Sequence, residues 1–159
     1  MVGLPRRGER LTDPTVEPST AGLPLAEFGF PRTDLRRRLV DAILRGEKTA
    51  GTGLVVDYER EGNSPGLPGE RQLLVDADDR PVAVIEMTEL TVRRMADVDL
   101  AFAIDEGEGF TSVAEWRAAH ERFFGSYIEE IRSGVGDPDW QLTDDTLVTC
   151  ERFRVVERL

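Results

Sequence analysis

Leu35, Leu39 and Ile43 recur every four residues, the spacing that lines one face of an α-helix. Thr33 stands where an N-capping hydroxyl is wanted, Asp34 follows at the positive end, and Gly46 supplies a stop, so the pattern predicts a helix over 33–45. Arg36, Arg37 and Arg38 then fall mostly on its outer face, as solvated surface or as a phosphate-binding patch. After Gly46 the pattern changes. Runs rich in Val, Ile, Leu and Thr at 48–58, 71–76, 81–92 and 146–157 read as strands. Asp78 and Asp79 between the second and third runs predict a hairpin turn at 76–80, which would pair those strands antiparallel. Residues 59–70 are dense in Gly, Pro and Asn and read as a loop. Trp116, His120, Phe123, Phe124, Tyr127, Ile128 and Ile131 repeat at helical spacing and predict one long helix over 112–132. Phe28 and Phe30, two apart, predict a short extended piece within 25–31.

Several strands with two helices and no regular strand–helix alternation argue against a doubly wound parallel sheet and for a mixed, largely antiparallel α+β domain. A chain of 159 residues, 40% of them hydrophobic, has enough apolar material for one core. That domain is expected over 24–159. Residues 1–23, rich in Pro, Gly, Arg and Thr without apolar periodicity, read as a flexible leader.

The 31 acidic residues against 20 Lys and Arg leave a formal charge of -11, which opposes unspecific attraction to phosphate backbones. Coating of duplex DNA is therefore not expected. A local basic cleft is still compatible with that charge, because distant surface charges are screened at physiological salt. The single cysteine, Cys150, cannot form an intrachain disulfide, and no run approaches the roughly 20 apolar residues that span a bilayer. A cytoplasmic protein without membrane association is expected, its oligomeric state left open.

Lys48, the only lysine, sits at the predicted helix-to-strand junction. Desolvated, it would act as a base; charged, it would hold an oxyanion or phosphate; the plain alternative is a solvated side chain in a turn. Strand alternation puts Thr52 on the same side as Lys48 and Thr49 on the other. Thr52 is then a candidate nucleophile or an ordinary strand former. Glu106 and Glu108 alternate with glycines in "DEGEG", where paired carboxylates share a proton, bind a divalent cation, or stand exposed in a loop. His120 belongs to the apolar stripe and reads as a buried structural histidine, with a general base as the alternative. One Cys and one His make a poor zinc set, so no metal and no cofactor is expected. Trp140, in the irregular "GDPDWQL" stretch, is the aromatic best placed for a cleft rim, and Arg71 opens a neighbouring strand.

The stretches "ILRGEKTAGTGL", "FAIDEGEG" and "WRAAHERFF", in that order and spacing, resemble the ASCH-domain family, as do "LPGERQLLVDADDRPVAVIEMTEL" and "LVTCERFRVVE". The resemblance runs from about Phe28 to the C-terminus and implies a PUA-like, mostly antiparallel β-barrel flanked by helices. The family pattern G-x-K-x-x-(E or T)-x-R finds Gly46 and Lys48 here, whereas Gly51 and Gly53 stand in place of the hydroxyl or acid and of the arginine. Glu106 aligns with the family's catalytic carboxylate. The resemblance implies an RNA-associated ligand cleft; one bacterial branch hydrolyses 4-acetylcytidine with a Lys, Thr and Glu set, and cleavage of single-stranded RNA also occurs. The candidate catalytic set is thus Lys48, Thr52 and Glu106, and the candidate ligand contacts are Lys48, Thr49, Arg71, Glu108 and Trp140. Three functions follow: binding of RNA or a modified nucleoside, hydrolysis in the same cleft, or a non-catalytic scaffold.

Overall fold

The computed structural model describes residues 20–159. Helix α1, Asp34–Leu44, begins as its sequence predicts: Thr33 is extended and its hydroxyl accepts from the Arg36 amide. Gly46, with φ 77°, ends the segment. The strand expected after Lys48 covers only β2, Ala50–Leu54, and the chain then coils into helix α2, Val55–Glu61. Two adjacent valines favour a strand by propensity, yet tertiary bonds decide otherwise. Asp57 is buried in α2, held by Arg60 at 2.7 Å and by the Tyr127 hydroxyl at 2.6 Å.

Strands β3, Arg71–Val75, and β4, Pro81–Arg94, form the expected antiparallel hairpin. Its turn is tied by the Asp76 carboxylate, which accepts from the amides of Asp78 and Arg80 at 2.8 and 2.9 Å. The last strand, β5, Leu147–Arg158, lies between β4 and β2 and is antiparallel to both. A two-residue strand, β1, Leu25–Ala26, adds parallel to β3, giving the order β1–β3–β4–β5–β2. Among the described residues this is an open sheet, not a closed barrel. Each edge has a local cause: β1 contributes only two residues, and β2 gives way to α2 after five.

The long C-terminal helix is in fact two, α4, Val113–Gly125, and α5, Ile128–Val135. The Ser126 hydroxyl donates to the Phe123 carbonyl at 2.6 Å and Tyr127 leaves helical geometry, while Ile131 resumes the buried stripe. Apolar spacing carries across the break, so periodicity alone does not reveal it. A short helix, α3, Leu100–Asp105, was not predicted; the Asp99 carboxylate caps it through the Phe102 amide at 2.8 Å. The main core packs α1 and α4 on the sheet, with Leu39, Ile43, Leu74, Ile85, Trp116 and Phe124 at its centre. A smaller cluster of Leu25, Leu73, Val75 and Val84 is covered by Leu23.

Residues 1–19 of the expected leader lie outside the described residues, whereas Thr20 is already buried and turns into Leu23. Among the described residues no helix is long and apolar enough to cross a membrane.

The three arginines of α1 separate. Arg36, expected outside, is 1% exposed. Its guanidinium reaches Asp79 at 3.0 Å, Glu27 at 3.2 Å and the Gly29 carbonyl at 2.9 Å, tying α1 to the hairpin turn and to the segment after β1. Arg37 is exposed beside Asp34, and Arg38 is exposed without an ion pair among the described residues. We predict that Arg36→Ala lowers unfolding free energy by about 3 kcal/mol, since it empties a buried site and takes the partner from the half-buried Glu27 carboxylate and the Gly29 carbonyl, while Arg37→Ala changes it by less than about 0.5 kcal/mol. Denaturant melts of the two variants test the contrast.

Candidate functional site

The amides of Glu47 and Lys48 both donate to the Ala42 carbonyl, at 2.9 and 3.1 Å, so the chain leaves α1 in a tight turn that aims the Lys48 side chain inward. The loop after α3 comes to meet it. Gly107, at φ 65°, lies so close that a Cβ there would be 2.4 Å from the Glu47 carbonyl oxygen and 2.6 Å from the Lys48 Cα. Only glycine tolerates both the angle and the contact. The Thr49 amide donates to the Asp105 carbonyl at 2.9 Å, completing the seam that sets Glu106 beside Lys48.

Lys48 and Glu106 are 1% and 0% exposed. Lys48 Nζ donates to the carbonyls of Ala50 at 2.9 Å and Glu106 at 3.0 Å, and lies 3.5 Å from Glu108 Oε2 and 3.9 Å from Glu106 Oε2. The Phe28 ring centroid is 5.7 Å away, a cation–π distance. An ammonium has three N–H donors, and all find acceptors. The Glu106 carboxylate receives the Thr52 hydroxyl and, at 3.0 Å, the Trp116 indole N–H on Oε1, while His120 Nε2 stands 3.1 Å from Oε2. That last pair has an ion-pair distance without hydrogen-bond alignment.

His120 Nδ1 lies 2.8 Å from the Trp116 carbonyl and so must carry a hydrogen toward it. Burial raises the Glu106 carboxyl pKa, but the charges of His120 and Lys48 outweigh it and hold the group well below the usual carboxylate range. Glu106 is therefore an ionised, four-sided anchor and a weak base. Glu106, Glu108 and His120 place donor atoms within 4.8 Å of one another, a spacing open to a metal ion. The Lys48 ammonium already supplies positive charge to both carboxylates there.

The structure brings Lys48, Thr52, Glu106 and Glu108 into this one cluster, with His120 and Trp116 joining from α4. The other candidates stand apart. Thr49 is exposed and its hydroxyl reaches the Asp105 carbonyl at 3.3 Å. Arg71 pairs with Glu86 across the hairpin at 3.2 Å. Trp140 packs against the core while its carbonyl accepts from Arg132 at 3.0 Å.

Glu151 escaped the sequence reading. It is 4% exposed on β5, accepting from the Thr149 hydroxyl at 2.8 Å and the Tyr58 hydroxyl at 3.1 Å. Burial pushes its carboxyl up to about 7, against those two hydrogen bonds. Parity with Phe153 on the same strand was the available signal, since both must face one side of the sheet. Gly51 and Gly53 pair with Glu151 and Thr149 across β2 and β5, so they share that face and Thr52 takes the opposite one. A Cβ on Gly53 would meet the Thr149 hydroxyl at 2.9 Å and Tyr58 at 3.1 Å, leaving no room for the arginine of the family pattern.

Glu108 links the cluster to the surface. It lines a groove of about 420 Å³ between α1 and α4, together with Arg38, Arg45, Gly107, Phe110 and Arg122.

Fold and cluster together define a PUA-like α+β domain with an ion-paired lysine and glutamate at its centre. The sequence matches the ASCH domain over residues 27–157, and the chain belongs to that family. An ASCH domain from Lactobacillus crispatus JV V101 is 31% identical, covers 83% of this chain and 78% of its own, and superposes with a TM-score of 0.70. A protein from Enterococcus faecalis V583 is 26% identical over 83% of this chain and 75% of its own, with a TM-score of 0.72. Among curated proteins none matches the sequence.

The buried carboxylates of Glu106 and Glu151 carry opposite pH signatures. With its folded value raised from 4.5 to about 7, Glu151 contributes full stability below pH 4.5 and loses it as pH rises through 7. We predict that this group costs the wild type about 3 kcal/mol across that window, and that Glu151→Gln flattens the slope. Glu106, with a lowered value, acts below that window, where its contribution is lost on acidification. Denaturant melts at several pH values between 4 and 8 check the prediction.

Proposed function

We propose that this ASCH-domain protein binds RNA or a modified nucleoside, in a cytoplasmic setting that suits its lone thiol. The ligand would enter the groove between α1 and α4 and reach toward the Lys48–Glu106 pair through Glu108. The observation that carries this reading is the position of Glu108: its carboxylate is 3.5 Å from Lys48 Nζ, and the residue also lines the groove of about 420 Å³. A pocket of that size suits a nucleoside, with an aromatic ring in Phe110 and a hydrogen-bond acceptor in Glu108.

Binding is favoured over catalysis by the state of the central groups. Every Lys48 donor is used, Glu106 is a weak base, and Thr52 is fully buried. Hydrolysis has one observation in its favour, the hydrogen bond from the Thr52 hydroxyl to Glu106 beside Lys48, which is how a nucleophile is prepared. It requires the groove to open inward as far as Thr52. A non-catalytic scaffold would leave the groove without a ligand.

Lys48 is pinned on all sides, so its removal reads stability first; Glu108→Gln keeps the shape and is the better probe. We expect nucleosides or short single-stranded RNA to bind with a shallow salt dependence, and Glu108→Gln to weaken binding by about tenfold while the protein stays folded, its melt lowered less than that of Lys48→Ala. Calorimetric titration measures both. Tight binding to duplex in proportion to its length, or no binding at all, refutes the proposal. Release of acetate from 4-acetylcytidine, lost in Thr52→Ala, would establish the hydrolase instead.

A further inference from the structure

In a chain with formal charge -11, cations facing a groove without ion-pair partners are unusual. Arg38 on α1 and Arg122 on α4 are both exposed, both line the Glu108 groove, and neither guanidinium forms a hydrogen bond or ion pair among the described residues. Arg45, on the same rim, is taken by Glu47 at 3.0 Å. The larger cavity, about 480 Å³ beside Phe30 and Tyr127, offers a contrast. Its two arginines are committed, Arg36 to Glu27 and Asp79, Arg60 to Asp57 and Glu61. Asp41 of α1 lines the same groove without an ion pair among the described residues, so two unpaired guanidinium groups face one unpaired carboxylate there and the unspent charge at the mouth is positive on balance.

The lining also differs in burial. Two guanidinium groups without partners are exposed, Phe110 is half-buried beside buried Leu39 and Ala119, and the Glu108 side chain is nearly buried against Lys48. A guanidinium fork matches phosphate oxygens, a phenyl wall takes the face of a base, and a carboxylate accepts from an exocyclic amino group. We propose that the groove selects a phosphorylated nucleoside, with Arg38 and Arg122 holding the phosphate, Phe110 the base, and Glu108 an amino group on the base edge. This rests on the nucleoside reading above and adds the phosphate as the feature that is recognised. A free mononucleotide and the phosphorylated end of an RNA strand share that chemistry.

The test is calorimetry on the full chain with matched pairs, cytidine against cytidine 5′-monophosphate and adenosine against adenosine 5′-monophosphate. Each monophosphate is expected to bind about tenfold tighter than its nucleoside, and the Arg38→Ala, Arg122→Ala double variant to bring the two within about twofold while nucleoside binding persists. Both arginines are exposed and unpartnered, so the double variant should melt like the wild type, which is checked in parallel. Equal affinity within each pair, or a preference that survives the double variant, overturns the phosphate assignment and leaves nucleoside binding standing. No binding by any of the four overturns the nucleoside reading as well. A short RNA with and without a 5′-phosphate then separates the two sources: stronger binding of the phosphorylated strand assigns the RNA end, and binding of the mononucleotide alone assigns the free nucleotide.

Discussion

A single ionised carboxylate, that of Glu106, is the constraint on which the centre of the domain depends. Burying a charge is costly unless it is paired and hydrogen-bonded. Glu106 meets that requirement by drawing Thr52 from β2, Trp116 and His120 from α4, and Lys48 from the junction after α1. Helix, strand and loop are thus fixed to one point. The mutual approach is possible because Gly107 lets its loop lie directly on the Glu47–Lys48 backbone.

The same constraint limits the chemistry. A carboxylate held ionised by neighbouring charges withdraws from general-base work, and a lysine with every donor satisfied is a fixed charge more than a reagent. Acid–base capacity near neutral pH lies instead on the other face of β5, where Glu151 is raised by burial beside Tyr58 and Thr149. The two glycines of β2 that depart from the family pattern both face Glu151. Their loss of side chains leaves that face to Tyr58, while Thr52 keeps a hydroxyl on the Glu106 side.

Charge at the surface follows a similar division of labour. Three successive arginines in α1 meet three fates: Arg36 becomes a buried brace, Arg37 pairs locally with Asp34, and Arg38 turns to the Glu108 groove. Helical geometry separates successive residues by about 100°, so adjacent identical side chains reach different environments.

Local sequence determined what depends on local physics: the Thr33-capped helix, the Asp-rich hairpin between β3 and β4, the last strand, and the α+β class. The family pattern around Lys48 and Glu106 was legible too, as residue types in order. Tertiary structure decided the rest. Propensity at Val55 and Val56 yielded to the burial of Asp57 and Tyr58 in α2, the apolar stripe of 112–132 hid a break at Ser126, and the strands stopped short of closing a barrel. Whether a polar side chain is solvated or buried depends on what the rest of the chain brings against it, and for Arg36, His120 and Glu151 those partners lie on other elements of the fold. That is why composition marked them as ordinary surface or core residues, and only the packed structure showed Arg36 as a brace, His120 as a partner of Glu106, and Glu151 as a buried acid.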